Sequence, residues 1–270
     1  MREHVKVTLA GRLYRWVFYV ALLVFFVPAV LVVLRGVQLR HAGEFPAHRD
    51  GEDAALFHTF TDDATADMTL RAMAGTEILH GNRAKKQVAL TFDDGPNTKI
   101  TPQLLAVLKF YHVKASFFLV GARVDANPEL VQAQYAEGHC LGNHTYHHDR
   151  LTNIGPTEYR AEIRDCSQAI VRAIGQSPRF FRPPGGRCDA QVTRTAEQLG
   201  CKTVLWTVNP GDYRHPDSAR IENDVIGGAR NGAIILLHDG VQETVDALPN
   251  IIENLRGRGF HFVTLDEMTK

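Results

Sequence analysis

From residue 86 onward, short apolar runs alternate with longer stretches in which apolar residues recur every three or four positions. An apolar run of about four to eight residues is typical of a buried strand, and the longer period is typical of an amphipathic helix. The apolar runs lie near residues 87–92, 115–120, 139–143, 179–182, 202–207, 233–237 and 260–263. Seven such strand–helix units predict an α/β fold built as a parallel barrel.

The helical stretches between these runs carry their own start and stop signals. The helical spacing is clearest at residues 104–108, 130–135, 163–174 and 251–255, of which the third predicts the longest helix and the fourth the last. Proline is accommodated in the first turn of a helix, and glycine commonly follows its end. Pro102 and Pro128 therefore predict helix starts, and the predicted ends are Gly138, Gly175, Gly200 and Gly259.

Residues 16–34 are 19 consecutive residues without a charged side chain. As a helix rising ~1.5 Å per residue they would span ~28 Å, which is close to the hydrocarbon thickness of a bilayer. We interpret this segment as an uncleaved transmembrane anchor. The alternative is a cleaved signal peptide, whose apolar core is usually ~7–15 residues long and precedes a small-x-small site. Residues 32–36 provide no such site.

The anchor divides the chain into four predicted segments. Residues 1–15 would be cytoplasmic, 16–34 would span the membrane, 35–85 would form a polar stalk or linker, and 86–270 would form the folded domain. Four basic residues precede the apolar segment and three follow it by residue 49. This small bias favours a cytoplasmic N-terminus and a folded domain outside the cytoplasm.

The composition excludes some functional classes. The chain has 30 Lys and Arg against 30 Asp and Glu, and residues 51–270 hold 23 of the former and 27 of the latter. A mildly acidic domain is a poor nucleic-acid binder. No C-x-x-C pair occurs, which excludes a zinc finger, while disulfides and buried thiols are both compatible with the sequence. The four cysteines are Cys140, Cys166, Cys188 and Cys201.

Candidate chemistry begins at residues 91–96, Thr-Phe-Asp-Asp-Gly-Pro, where two adjacent carboxylates end an apolar run. Because neighbouring like charges repel, a protein that keeps both commonly gives one to a metal and uses the other for proton transfer. His144 and His148 have i, i+4 spacing, and one helical turn would aim both imidazoles at one point. A carboxylate with two such histidines is a three-ligand set typical of a catalytic metal centre.

Two more segments place polar groups at the ends of apolar runs. Residues 182–186, Arg-Pro-Pro-Gly-Gly, form a rigid loop with one guanidinium, and residues 233–240 form a buried strand that reaches His238. In a parallel barrel, the carboxyl ends of the strands and the loops after them build the active site. The polar groups predicted to meet there are Asp93, Asp94, the loop of His144, Arg182, Asp212 and His238.

Five segments resemble, in the same order, the motifs of the polysaccharide deacetylase family, also called the NodB-homology or carbohydrate esterase family 4 proteins. They are residues 91–96, 144–148, 182–186, 206–213 and 236–239, and the resemblance covers residues 86–268. It implies a distorted (β/α) barrel with fewer than eight complete units, in agreement with the count of apolar runs. It also implies hydrolysis of acetamide groups on extracytoplasmic polysaccharides.

The resemblance implies a metal site at Asp94, His144 and His148, which would bind one divalent ion. Zinc is favoured by the oxygen and imidazole donors, and cobalt, nickel or iron are the alternatives. Such an ion makes water acidic enough to react near neutral pH.

The resemblance also implies the proton-transfer groups. Asp93 would be the general base, held in place by Arg182. His238 would protonate the leaving amine, and Asp212 would raise the pKa of His238.

The substrate pocket is the remaining part that the resemblance implies. A backbone N–H of the loop at 184–186 would stabilise the oxyanion. Pro184, Gly185, Trp206 and Leu236 would line the pocket, although Trp206 or Leu236 taken alone is more typical of a core position.

The chain departs from the family pattern at two positions. An aromatic residue is usual where this chain has Gly185, and tryptophan is common where it has Tyr213. Neither departure removes a catalytic group, so both bear on the identity of the substrate.

The sequence therefore predicts a membrane-anchored, metal-dependent hydrolase that removes N-acetyl groups from N-acetylglucosamine units of a cell-envelope polysaccharide, with peptidoglycan preferred. Its partners would be this N-acetylated glycan and the membrane, and no nucleic acid. The catalytic alternatives are a deacetylase or deformylase of a smaller or lipid-linked amino sugar and an O-acetyl xylan esterase. The alternative outside catalysis is an envelope protein that only binds glycans, which the presence of Asp93, Arg182 and His238 disfavours.

Overall fold

The computed structural model describes residues 77–214 and 216–270. The predicted cytoplasmic segment 1–15, the predicted anchor 16–34 and residues 35–76 of the predicted stalk lie outside this part. Among the described helices, none combines the length and the apolar character needed to cross a bilayer. The anchor at residues 16–34 stays a prediction from the sequence.

Eight strands form one sheet, and all their ladder pairings are parallel. They are β1 (Glu77–Ile78), β2 (Gln87–Gly95), β3 (Ser116–Leu119), β4 (Cys140–Asn143), β5 (Phe180–Phe181), β6 (Lys202–Val204), β7 (Ala233–His238) and β8 (His261–Phe262). Their spatial order is β1-β6-β5-β4-β3-β2-β7, and β8 pairs with the start of β2. Just after β6, Val208 forms a parallel bridge with Ile235 of β7, so the sheet curls round as in a distorted barrel.

Each of the seven predicted apolar runs contains one strand, and the prediction of a parallel α/β sheet is confirmed. The sequence pattern does not predict β1, because a strand of two residues carries no recognisable alternation. β1 pairs with β6 and lies in the range 35–85 that we assigned to the stalk. The sheet therefore begins before residue 86.

Eight helices accompany the described strands. They are α1 (Thr101–Phe110), α2 (Gly121–Ala126), α3 (Pro128–Ala136), α4 (Pro156–Ile174), α5 (Ala190–Gln198), α6 (Ser218–Gly228), α7 (Gln242–Gly257) and α8 (Leu265–Met268). Pro102 lies in the first turn of α1 and Pro128 begins α3, as predicted. The longest helix is α4, and Gly175 ends it with a φ of 70°, the left-handed conformation that glycine adopts without strain. Residues 251–255 lie in α7, the last helix between two strands as predicted, and α8 follows β8 with four residues, too few to show a period.

Strand alternation decides which side chains face the inside of the curled sheet. Ala89 of β2 and Ile234 of β7 belong to a core cluster that contains no residue of α1 to α7, so this cluster lies inside the sheet. Because successive side chains point to opposite faces, Asp93 shares the face of Ala89, and His238 shares the face of Ile234. Asp93 and His238 are also register partners at the ends of their strands. The strand period thus turns both polar residues inward at the same edge.

The four cysteines all lie within the described residues, are buried and form no disulfide. Burial raises the pKa of the Cys166 thiol above its ordinary value and raises that of Cys201 to about 11. Of the two alternatives left open by the sequence, the structure has buried thiols.

Candidate active site

Asp93 and Asp94 end β2 in two different environments. Asp93 is 3% exposed, and its Oδ1 accepts a hydrogen bond of 2.7 Å from Arg182. Asp94 is partly exposed and has a φ of 70°, a left-handed conformation that is uncommon outside glycine. The two adjacent carboxylates therefore have separate partners.

The guanidinium of Arg182 is fully buried and hydrogen-bonded on several sides. Its Nη1 donates to Oγ1 of Thr91 at 2.8 Å as well as to Asp93, and its Nε and Nη2 donate to the carbonyls of Val204 at 3.2 Å and Leu205 at 3.1 Å. A charged group satisfied in this way is a rigid support. It fixes the Asp93 carboxylate through Oδ1.

Asp94, His144 and His148 bring one carboxylate oxygen and two imidazole nitrogens together. Oδ1 of Asp94 lies 3.4 Å from Nε2 of His144 and 3.1 Å from Nε2 of His148, and the three potential ligand atoms lie within 4.8 Å of one another. Nδ1 of His144 lies 2.7 Å from the carbonyl oxygen of Arg182. Because a carbonyl only accepts, Nδ1 donates its proton to this carbonyl, so Nε2 is the ring nitrogen that faces Asp94. This donor set fits one divalent cation, and its nitrogen and oxygen atoms are donors that zinc accepts.

The protonation state of Asp94 also suits a metal ligand. Burial would raise the pKa of Asp94, but the hydrogen bonds and charges of His144 and His148 hold it well below its usual range. The carboxylate is therefore ionised near neutral pH, as metal binding requires.

The two histidines do not lie on a helical turn, and the prediction of that geometry is wrong. They belong to a loop after β4 in which Thr145 and His148 have φ values of 65° and 66°. These left-handed residues cannot continue a right-handed helix. The rings nevertheless lie 5.1 Å apart between centroids, because the loop folds back on itself.

His238 is held by Asp212, which lies in a short turn before α6. Nδ1 of His238 lies 2.8 Å from Oδ1 of Asp212, while the backbone N–H of His238 and the hydroxyl of Thr244 each donate to Oδ2 at 2.7 Å. Burial alone would lower the pKa of His238. The hydrogen bond and charge of Asp212, with the charges of Asp94 and Asp93 adding to them, raise this pKa to about 9. The imidazole is therefore protonated at neutral pH and can act as an acid.

The loop Pro184–Gly186 leaves one backbone donor for a ligand. Pro184 has no N–H, and the N–H of Gly186 donates to the carbonyl of Pro183 at 2.9 Å. Within the described residues, the N–H of Gly185 has no such backbone acceptor. Gly185 is thus the residue of this loop that can offer an N–H to an oxyanion.

The rim of the site is open at Gly185. This residue is exposed and has a φ of 64°, and a Cβ built on it would find no heavy atom within 4 Å. At Gly186 a Cβ would lie 2.5 Å from the Trp206 ring, so Trp206 packs directly on the loop. Trp206 is half-buried and packs against the core cluster inside the sheet, and Leu236 is 3% exposed.

Two further histidines near these segments, His139 and His147, lie outside the Asp94 group. His139 is buried, accepts a hydrogen bond from the N–H of Ala115 and has its pKa lowered to about 4, chiefly by burial. His147 is exposed and contacts Glu162 through Nδ1.

The sequence reasoning did not identify Thr91, Thr244 or Glu162 as parts of the site. Thr91 lies two residues before Asp93 on the same strand face, so strand alternation could have indicated it. Thr244 and Glu162 reach the site from α7 and α4, and the sequence alone does not give the placement of these helices.

Hydrolysis of an amide or ester needs a base for water, an acid for the leaving group and an electrophile for the carbonyl oxygen. The C-terminal edge of this sheet holds a candidate for each role: Asp93, His238, and the cation that Asp94, His144 and His148 can bind. The fold and the site therefore define a hydrolase whose domain is a curled parallel sheet with helices packed around it.

Comparison with known proteins makes the assignment specific. Residues 80–204 match the family model described as polysaccharide deacetylase. The peptidoglycan-N-acetylglucosamine deacetylase of Bacillus cereus is 39% identical in an alignment 191 residues long that covers 69% of this chain and 89% of that protein. The chain belongs to the polysaccharide deacetylase family, and the family resemblance predicted from the sequence is confirmed.

Two further matches show how much of this chain and of each relative the similarity covers. The peptidoglycan-N-acetylglucosamine deacetylase PgdA of Listeria monocytogenes is 37% identical over 186 residues, covering 69% of this chain but 39% of that longer protein. The crystal structure of the Bc1960 peptidoglycan N-acetylglucosamine deacetylase superposes with a TM-score of 0.70 at 37% identity, covering 72% of this chain and 92% of that one.

Proposed function

We propose that this protein removes acetyl groups from N-acetylglucosamine units of a cell-envelope polysaccharide, with peptidoglycan as the substrate. The observation that carries the proposal is the convergence of a three-donor cation site with Asp93, which Arg182 holds at 2.7 Å. The names of the similar proteins support the choice of peptidoglycan. Each residue role below is part of this proposal.

Asp94, His144 and His148 would hold one divalent ion, which we propose to be zinc. When bound, such an ion lowers the pKa of water and polarises a carbonyl oxygen. Asp94 is ionised near neutral pH, and the contact of the His144 Nδ1 with the carbonyl of Arg182 orients Nε2 toward Asp94.

Asp93 is the proposed general base. Its Oδ1 is tied to Arg182, while Oδ2 lies 3.7 Å from Nε2 of His144, next to the cation site. A carboxylate with one oxygen fixed and the other facing the reacting water can take a proton without reorienting.

His238 is the proposed general acid. An amide nitrogen cannot leave as an anion, so the departing amine must receive a proton as the carbon–nitrogen bond breaks. His238 is protonated at neutral pH because Asp212 raises its pKa to about 9, although burial opposes this. The backbone N–H of Gly185 would stabilise the developing oxyanion, and Trp206 and Leu236 would enclose the acetyl methyl.

This acid role predicts the alkaline limb of the pH profile. The protonated form of His238 exists below its pKa, so kcat/KM should fall as the pH rises through about 9. Replacing Asp212 by Asn removes the charge that raises this pKa, so the limb should move to lower pH. The two profiles are compared on one amide substrate. An unchanged alkaline limb in Asp212→Asn would show that His238 does not set it.

Acetate release tests the proposed function and ranks the substrates. The purified chain is incubated with peptidoglycan, chitooligosaccharides and acetylxylan, and acetate is measured against a heat-inactivated sample. The proposal predicts the highest kcat/KM on peptidoglycan. A preference for acetylxylan would replace it with an O-acetyl esterase, and no release from any of the three would support a protein that only binds glycans.

We also propose that residues 16–34 anchor the protein in the membrane with the hydrolase domain outside the cytoplasm. The support is the run of 19 residues without a charge, since the hydrophobic effect that holds such a helix is not screened by salt. The full-length chain should stay in the membrane fraction at high salt and dissolve with detergent. A shorter mature protein whose N-terminus lies after residue 30 would instead show cleavage of a signal peptide.

A further inference from the structure

The loop that carries His144 and His148 is held in an unfavourable backbone conformation. Thr145 and His148 both have positive φ, at 65° and 66°. For a residue with a Cβ this conformation costs free energy, and it persists only where surrounding contacts fix it. The position of the two imidazoles therefore depends on groups outside the loop.

Glu162 of α4 makes three contacts with the middle of this loop. Its Oε2 accepts the backbone N–H of Tyr146 at 2.9 Å and that of His147 at 2.8 Å. Its Oε1 lies 2.6 Å from Nδ1 of His147. The residue is 8% exposed, so these bonds are formed where little water competes for them. Both contacted residues lie between the two proposed ligands.

Other backbone groups of the loop bond to neutral partners. The side chain of Asn143 accepts the N–H of Thr145 at 2.9 Å, and the N–H groups of Gly121 and Ala122 donate to the carbonyls of Thr145 and Tyr146. These bonds act on the first half of the loop and on its carbonyls. Glu162 supplies the charged acceptor for the N–H groups that follow.

We propose that Glu162 is a positioning residue that fixes this loop and thereby sets the affinity of the Asp94, His144 and His148 site for its metal ion. The inference rests on the proposed function, because it requires that this site binds a metal. Glu162 acts through the loop backbone and does not touch the ion. Partners one step removed from a metal commonly change its affinity about 10- to 100-fold when they are lost.

The same residues could be taken for a second cation site. His147, Asp149 and Glu162 place their potential ligand atoms within 4.8 Å of one another. Both oxygens of Glu162 already face N–H groups or the His147 ring, and His147 and Asp149 are exposed. The hydrogen bonds from the loop to Glu162 therefore account for this cluster without an ion.

Metal affinity separates these possibilities. Zinc dissociation constants are measured by competition with a chromophoric chelator for the wild type, Glu162→Ala and Glu162→Gln, and the absorption spectrum of the cobalt form reports ligand geometry. Glu162→Ala should weaken zinc binding at least about 10-fold and change the cobalt spectrum. Glu162→Gln should lose less, because its amide oxygen can still accept both backbone N–H groups.

Glu158→Ala is the matched control. Glu158 lies on the same helix and carries the same charge, but it accepts the N–H of Gly155 at 2.8 Å and does not contact the loop. This variant should keep wild-type zinc affinity. If Glu162→Ala does not fold, Glu162→Asp replaces it, since the shorter side chain keeps the charge but should weaken zinc binding more than Gln does.

The outcomes assign failure to one claim or the other. Wild-type zinc affinity in a folded Glu162→Ala protein would overturn the positioning role of Glu162 and leave the proposed function intact. A second contrary result is two ions bound per wild-type chain, with one lost in Glu162→Ala and the other bound as before. That result would make Glu162 a metal ligand and would also overturn its positioning role. A wild-type protein that binds neither zinc nor cobalt would overturn the proposed function, and the positioning role of Glu162 would fall with it.

Discussion

Replacing Asp93 by Asn should lower turnover at least ~10²-fold and leave the metal content near that of the wild type. An amide has the shape of a carboxylate but cannot take a proton from water at neutral pH. Its oxygen can still accept the hydrogen bond from Arg182 that Oδ1 of Asp93 accepts at 2.7 Å. Arg182 also keeps its bonds to Thr91, Val204 and Leu205, so the variant should fold, although a buried charge without its counter-charge should lower the thermal midpoint.

The measurement pairs kcat for acetate release with metal content by elemental analysis. Asp149→Asn is the control, because it removes one negative charge from an exposed residue that follows His148 and leaves Asp93 unchanged. An Asp93→Asn protein with substantial activity would refute the base assignment. Loss of both metal and activity would show instead that Asp93 helps to hold the ion.

Replacing Asp94 or His144 by Ala should remove the metal and the activity together. The site offers three protein donors within 4.8 Å, and a remnant of two binds a divalent ion weakly. We expect the loss of affinity to exceed the ~10- to 100-fold that outer partners contribute. Metal content after dialysis and acetate release are measured on the same samples.

His147→Ala provides the control for this pair. It removes an imidazole from the same loop, but His147 lies outside the Asp94 group and its backbone N–H to Glu162 remains. This variant should keep most of its metal. Stoichiometric metal in both Asp94→Ala and His144→Ala would show that the ligand assignment is wrong.

Much of the fold could be predicted because the sheet is buried. Strands covered on both faces read as apolar runs, and all seven runs contain a strand. β1 and α8 escape this argument because two and four residues are too few to show a period. Their places depend on contacts with β6 and with the core inside the sheet.

The site was predictable where it follows from strand ends and unpredictable where it follows from loops. Strand alternation brings Asp93 and His238 to one edge, as the sequence analysis expects. The spacing of His144 and His148 predicts their convergence but suggests a helical turn that the positive φ values of the loop exclude. Side-chain partners from distant helices, such as Glu162, have no signal in the sequence.

Gly185 shows a further limit of sequence reasoning. The missing aromatic side chain reads as a widened substrate groove, and the open space around a Cβ at this position agrees with it. The positive φ of 64° also favours glycine, because a residue with a Cβ is strained there. A backbone requirement and a substrate requirement thus select the same residue.

The most direct test of the central claim is to count products on a polymer of N-acetylglucosamine with and without metal. Acetate and new free amines are measured after incubation with the chelator-treated protein, before and after zinc is restored. The account predicts equal amounts of acetate and amine, formed only when zinc is present. Acetate without new amines, or product formation that is the same in the chelated protein, would contradict it.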